Sequence, residues 1–307
     1  MRRKVTVIGA GNVGATLAQY IVMDGISDVV LYDIVEGLPQ GKALDILEAT
    51  PLYNVSATIE GVNDLSRMEG SDIVVITAGA ARKPGMSRDD LLNTNASVVR
   101  TVSREIKEHC PDSLVIVVTN PMDVMAQLCW HVTGFPHQRV MGMGGILDSV
   151  RFRTFISMEL GVSVQDTEAL VLGGHGDQMV PLPRFTTVRG IPITHLMSKD
   201  RINALIERTR KGGAEIVSLL KTGSAFYAPA SATYQMIRAI LLDEKRFVPA
   251  AAYLKGQYGV KGLFVGVPVI LGRDGVEEIV ELSLTDDERE AFYRSVDAVR
   301  SLVEKLI

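Results

Sequence analysis

A chain of 307 residues, 47% of them hydrophobic and 22% charged, has enough apolar material for one large domain or two ordinary ones. Its net charge of −4, from 32 basic and 36 acidic side chains, removes the electrostatic case for nucleic acid or an anionic membrane as partner. Cys110 and Cys129 form neither a Cys-x-x-Cys pair nor a cluster with zinc spacing. No metal site is therefore expected, and reduced thiols are the default, although the sequence leaves a disulfide between the two open. The basic start, residues 1–4, leads into an apolar run that stops at Gly9. No stretch reaches the ~18 apolar residues that a membrane helix needs, so a soluble, unexported, cytoplasmic protein is expected.

Residues 4–8 read as a short strand of β-branched content. A helix follows over 12–23, with Val13, Leu17, Tyr20 and Ile21 on one face. Residues 29–32 form a second strand. Residues 37–49 fit a helix with Ala43, Leu44 and Leu47 turned inward and Pro51 closing it. The runs 73–76 and 114–118 are continuously apolar, as strands covered on both faces are, and a helix over 95–107 lies between them. Strands alternating with helices predict a parallel sheet with helices on both sides. The fold class is α/β, with an N-terminal Rossmann, doubly wound domain over residues 1–145 that ends at Gly142-Met143-Gly144-Gly145. Residues 146–307 are expected to form a second, mixed α+β domain. It comprises a helix over 146–160, a strand over 167–172 and a helix over 202–220. A hairpin then joins 260–271 to 276–282 through Gly272-Arg273-Asp274-Gly275. A C-terminal helix starts at Asp286 with a stripe of Phe292, Val296, Val299, Val303 and Leu306.

Gly9-Ala10-Gly11-Asn12-Val13-Gly14 matches G-x-G-x-x-G between the first strand and the first helix, the context that gives this short motif meaning. The first glycine permits a tight turn, the second lets backbone approach a pyrophosphate, and the third lets helix pack on strand. Asp33 ends the second strand, near the expected ~20 residues beyond the glycines. A carboxylate there accepts hydrogen bonds from ribose hydroxyls and repels a 2′-phosphate, so the predicted cofactor is NAD rather than NADP.

Gly173-Gly174-His175-Gly176-Asp177, Leu147-Asp148-Ser149-Val150-Arg151 and Thr119-Asn120-Pro121 resemble the signature segments of the lactate/malate dehydrogenase family. Residues 81–91, Ala-Arg-Lys-Pro-Gly-Met-Ser-Arg-Asp-Asp-Leu, are similar to its malate branch that is lactate-dehydrogenase-like in overall sequence. The resemblance covers essentially the whole chain. It implies reversible NAD-dependent oxidation of (S)-malate to oxaloacetate, with L-lactate dehydrogenase or a catalytically silent NAD-binding relative as alternatives. It also implies a homotetramer built from dimers, or a homodimer.

Oxidising a secondary alcohol needs a base for the hydroxyl proton, and histidine suits that task. Of His109, His131, His137, His175 and His195, only His175 stands in a glycine-flanked turn after a strand. By resemblance it is the proton donor and acceptor. Asp148 matches the carboxylate that orients it, and Arg151, three residues on, matches the fork that holds the substrate carboxylate. Arg88 matches the loop arginine that polarises the carbonyl, and Asn120 a substrate ligand beside the nicotinamide. Asn95, Val118 and Thr119 match cofactor contacts. Arg82 takes the position that discriminates substrates, where a cation would meet the second carboxylate of malate. Ala225 stands where the lactate branch has a bulkier polar residue. Gly79 and Gly85 are the expected hinges of this loop. The chain departs from the family pattern at Ala80-Ala81, where Ile-Pro is more usual, which bears on hinge stiffness.

Overall fold

The computed structural model describes residues 2–80 and 88–307, and the backbone alone at Arg88. The first half alternates strands and helices: β1 (Lys4–Ile8), α1 (Asn12–Asp24), β2 (Asp28–Tyr32), α2 (Leu38–Tyr53), β3 (Ile59–Val62), β4 (Ile73–Ile76), α3 (Arg88–His109), β5 (Leu114–Val117), α4 (Met122–Thr133) and β6 (Val140–Gly142). These six strands pair in parallel in the order β3-β2-β1-β4-β5-β6. This is the doubly wound dinucleotide-binding order, which opens a crevice beyond the carboxyl ends of β1 and β4. Strands β4 and β5 are buried along their whole length, as their uninterrupted apolar runs require when helices cover both faces.

The second half opens with α5 (Gly145–Leu160), passes through short strands β7 (Thr167–Glu168), β8 (Val171–Leu172), β9 (Val180–Pro181), β10 (Thr187–Val188) and β11 (Ile191–Pro192), and continues with α6 (Lys199–Leu220) and α7 (Tyr227–Leu241). It finishes with β12 (Arg246–Lys255), β13 (Lys261–Gly272), β14 (Gly275–Ile279) and α8 (Asp286–Val303). The last three strands are antiparallel and extend the first sheet. Ala251 of β12 pairs with Gly142 of β6, so among the described residues nine strands form one continuous sheet. One large apolar core follows it, and a smaller cluster of Phe152, Ile156, Val171, Met179 and Ile202 lies between α5, α6 and the short strands.

Local chemistry explains where elements start and stop. Gly25, at φ 69°, ends α1 in the left-handed conformation that glycine adopts without a Cβ penalty. Ser198 caps α6, and Thr285 with Glu288 forms a reciprocal capping box on α8. Helix α2 does not stop before Pro51 but runs on to Tyr53. Proline there leaves the Leu47 carbonyl without its usual helical donor, and the Thr50 hydroxyl supplies one at 2.8 Å. Leu44 and Leu47, expected inward, are 57% and 38% exposed, because α2 packs through Ala43, Pro39 and Thr50 instead.

Other expectations also shift. The helix of 95–107 begins at Arg88, and the hairpin's second strand ends at Ile279. The strand of 167–172 divides, because Thr167–Glu168 pairs with β10 while Val171–Leu172 pairs with β9. Elements β3, α4, β6, β9, β10, β11, α7 and β12 have no counterpart in the reading of the sequence. The two cysteines are free and buried. No helix among the described residues is long and apolar enough to cross a membrane.

Candidate active site

The turn after β1 is shaped by its glycines. A Cβ on Gly14 would lie 1.8 Å from the Gly9 carbonyl oxygen, and Gly9 holds φ at 107° with backbone Ala78 pressed beside it. Gly11 is different, since a Cβ there would meet nothing within 4 Å. Its bareness serves no packing need within the chain and leaves the backbone open to a ligand. Helix α1 starts there with no side-chain cap and no acid in its first turn, so its leading N–H groups and dipole face an anion unopposed. Asp33 stands beside the turn: Oδ2 accepts from the Ala10 N–H at 2.8 Å and Oδ1 from the Val35 N–H at 3.0 Å. Lys42 of α2, to which no role was given from sequence, donates from Nζ to the Ala10 carbonyl at 2.7 Å. These residues fit a dinucleotide's diphosphate and ribose.

From this turn a cleft of about 620 Å³ runs across the carboxyl ends of the central strands to His175. Asn95 of α3, 1% exposed, ties the walls together. Its Oδ1 accepts from the Ala80 N–H and its Nδ2 donates to the Asn120 carbonyl, both at 2.7 Å. The Thr119 hydroxyl donates to the Ala78 carbonyl at 2.7 Å. Val118, Thr119 and Asn120, at the end of β5, line the cleft, as does Ala225 before α7.

His175 follows β8 in a turn pinned by three backbone bonds from different elements. Gly173 N–H donates to the Gly266 carbonyl of β13, Gly174 N–H to Ser295 Oγ of α8, and His175 N–H to Asp123 Oδ2 of α4, each at 2.8 Å. The imidazole Nδ1 lies 2.8 Å from Asp148 Oδ2. A carboxylate only accepts, so Nδ1 carries the shared proton and Nε2 keeps its lone pair in the neutral ring. Burial works against the imidazolium, but the Asp148 charge and hydrogen bond, joined by the Asp123 charge, outweigh it, and the His175 pKa is raised. Arg151, one turn along α5, places Nη1 3.8 Å from Asp148 Oδ1. Its Nε is buried without a hydrogen-bond partner among the described residues. Burial lowers the Arg151 pKa and the Asp148 charge opposes that effect.

The cleft therefore gathers Gly11, Asn95, Asn120, Arg151 and His175 from elements spread over the chain, with Asp148 buried behind His175. Arg82 lies outside the described residues, as does the side chain of Arg88. Away from the cleft, His109 pairs with Glu105, and His137 stacks on Tyr253.

Residues 3–142 match the family model described as lactate/malate dehydrogenase, NAD binding domain, and residues 146–307 match its alpha/beta C-terminal domain. The chain belongs to the lactate/malate dehydrogenase family. Its cofactor is NAD, in keeping with the bare Gly11 and the placing of Asp33. The malate dehydrogenase of Rhodopirellula baltica is 56% identical over 307 residues, covering 99% of this chain and 98% of that protein. Among solved structures, the apo malate dehydrogenase of Picrophilus torridus superposes with a TM-score of 0.97 at 47% identity, over 100% of this chain and 98% of that one. The lactate dehydrogenase of Cryptosporidium parvum, complexed with lactic acid and nicotinamide adenine dinucleotide, also reaches 0.97, at 42% identity over 100% and 98% of the two chains. Backbone shape in this family thus does not separate the two substrates, and the choice falls to side chains.

Within the family frame, three groups around the cleft escaped the reading of the sequence. Asp123 and Ser295 hold the His175 turn from behind, and Arg210 of α6 lines the cleft while donating to the Met179 carbonyl. Asp123 stands three residues after Asn120, in the same Asn-Pro segment that opens α4. That neighbourhood was the one signal pointing to it. Ser295 and Arg210 carry no local signal, since only the tertiary fold brings them near.

Proposed function

We propose that the chain interconverts (S)-malate and oxaloacetate with NAD as an oxidoreductase acting on a CH–OH group. The reading rests above all on the His175–Asp148 pair at 2.8 Å in a cleft that begins at the bare glycine turn. Bound NAD supplies the hydride acceptor for malate oxidation, and NADH the donor for the reverse reaction. His175 Nε2 takes the C2 hydroxyl proton during oxidation and returns it to the carbonyl oxygen during reduction. Asp148 keeps the ring in the Nδ1–H tautomer and stabilises the imidazolium that forms. Arg151 holds the C1 carboxylate through its planar fork, and Asn120 orients the reacting oxygen. Gly9 to Gly14, including Ala10, Asn12 and Val13, carry the diphosphate. Asp33 takes the adenosine ribose, and Asn95, Val118 and Thr119 frame the nicotinamide end. Arg88 polarises the carbonyl and Arg82 meets the distal carboxylate, both assigned from the sequence.

For malate over lactate, the supports are Arg82, the small Ala225 in the cleft wall, and relatives such as the malate dehydrogenase of Rhodopirellula baltica. Residues 1–145 hold the cofactor and also lend Arg82, Arg88 and Asn120 to the substrate, while residues 146–307 supply Asp148, Arg151 and His175. The working form is a homodimer or homotetramer, supported by the uncovered Leu44, Leu47 and Leu52 on α2, and its compartment is the cytoplasm. Purified protein mixed with NADH and either oxaloacetate or pyruvate tests the reading by loss of NADH absorbance. Oxaloacetate is expected to turn over faster by orders of magnitude. Equal or faster turnover of pyruvate would overturn the substrate, and no turnover of either would overturn the activity.

A further inference from the structure

Asp123 sits in the first turn of α4 and is 4% exposed. Its Oδ2 accepts the His175 backbone N–H at 2.8 Å, while Oδ1 is buried with no hydrogen-bond partner among the described residues. An asparagine would offer the same acceptor to the same N–H without burying a charge. What aspartate adds is the charge, held at a cost because a buried carboxylate oxygen without a donor has lost its water for nothing.

The groups around it suggest the use of that charge. Asp148 and Arg151 come from α5, and His175 from the turn after β8. From α8 the contact is the uncharged Ser295, and from β13 it is Gly266. Arg210 of α6 and Asp177 lie on the cleft wall. In the buried cluster the two carboxylates outnumber Arg151 by one. A neutral His175 therefore leaves one negative charge in excess, and an imidazolium balances it.

We infer that Asp123 is a positioning residue of the proton relay, a second carboxylate that grips the His175 backbone and whose negative charge stabilises the imidazolium alongside Asp148. Its inference rests on His175 being the proton carrier. Burial pushes the Asp123 pKa up to about 6, against the pull of the His175 amide and of the imidazolium. The Asp123 charge in turn raises the pKa of His175. The two groups thus titrate in each other's field.

The experiment compares wild type with Asp123→Asn, reading His175 by NMR of histidine-labelled protein, with His175→Asn assigning its signal. Losing the charge while keeping the acceptor should move the His175 titration to lower pH by roughly one unit, the effect of one nearby charge. The acid limb of malate oxidation and the basic limb of oxaloacetate reduction should move with it, so that reduction just above the wild-type limb falls about tenfold. An unmoved titration in folded Asp123→Asn would reduce Asp123 to a backbone anchor and overturn the inference. Should that variant not fold, aspartate-labelled wild type and His175→Asn decide instead. The Asp123 carboxyl should titrate higher once the imidazolium is gone, and an unchanged value would overturn the inference equally. The NMR readout needs no turnover, so a shifted titration in a protein inert towards oxaloacetate would sink the proposed activity and leave the charge coupling standing.

Discussion

Ala10 and Asp33, 23 residues apart, are joined by one hydrogen bond of 2.8 Å from backbone N–H to carboxylate. The end of β2 thereby holds the glycine turn after β1. A carboxylate has about four acceptor positions and Asp33 spends two on Ala10 and Val35. The others are free for two ribose hydroxyls. Asp33→Ser removes the negative charge that repels a 2′-phosphate and shortens the side chain. The ratio of kcat/KM for NADH over NADPH is expected to fall by about tenfold or more, the worth of one charged hydrogen bond. An unchanged ratio would remove Asp33 from the ribose site.

The glycines of the turn should separate by what they serve. Gly14→Ala would put a methyl 1.8 Å from the Gly9 oxygen, so the packing of α1 on β1 must open at a cost on the order of 1–3 kcal/mol. Gly11 has φ −66°, which alanine adopts freely, and open space where the methyl would sit. Gly11→Ala should therefore leave thermal stability within about 0.5 kcal/mol of wild type. It should weaken NADH binding about tenfold or more by displacing the diphosphate from backbone N–H groups. Melting curves and NADH fluorescence titrations distinguish the two. A Gly11→Ala protein with normal NADH affinity would show that the diphosphate does not lie over this turn.

The raised pKa of His175 fixes the direction of the pH dependence. Malate oxidation needs the neutral ring, so its rate falls as pH drops below the folded pKa. Oxaloacetate reduction needs the imidazolium, so its rate falls as pH rises above it. Both limbs should lie above the ordinary histidine value of about 6.5. Asp148→Asn removes the charge that contributes most to raising it and can donate to Nδ1, which favours the other tautomer. Turnover should drop by roughly a thousandfold, with the oxidation limb shifted to lower pH. His175→Asn should cost more still while NADH binding survives. Near-normal turnover in His175→Asn would end the proposed mechanism.

Much of this site is local in the chain, which is why it could be read from the sequence. The glycine turn, Asp148 with Arg151 three residues on, and the turn around His175 each declare themselves within six residues. The elements that escaped lack periodicity for a physical reason. Helix α4 has Met122 to Cys129 wholly buried between the sheet and its neighbours, so no polar face marks its turns. Strand β12 runs through Pro249-Ala250-Ala251-Ala252, residues of low strand propensity, and is a strand because β13 and β6 flank it. Helix α7 opens on Tyr-Ala-Pro-Ala, where proline in the first turn lacks no bond but hides the helical signal. Pro51 misled in the opposite sense, since Thr50 answers the carbonyl that proline leaves open.

Substrate choice depends on volume and on charge, and the two can be tested apart. Ala225 lines the cleft beside the residues that would hold a 2-keto acid. Ala225→Thr adds two heavy atoms to that wall. The longer oxaloacetate should suffer more than pyruvate, with its kcat/KM falling by at least about 10-fold to 200-fold, since a single methylene-sized misfit is worth that much. Arg82→Gln removes the charge and leaves a shorter but still polar side chain. If Arg82 meets the distal carboxylate in a closed, desolvated site, the lost charged bond costs roughly 2–5 kcal/mol, or about 30-fold to several thousand-fold in kcat/KM for oxaloacetate. Pyruvate should gain, because its methyl group no longer strands a buried guanidinium. Arg88→Gln should instead slow both substrates, since polarising the carbonyl is common to both. Steady-state assays with both keto acids and NADH read all three variants. Were Arg82→Gln to slow the two equally, specificity would rest on volume at Ala225 alone, and malate would lose its electrostatic support.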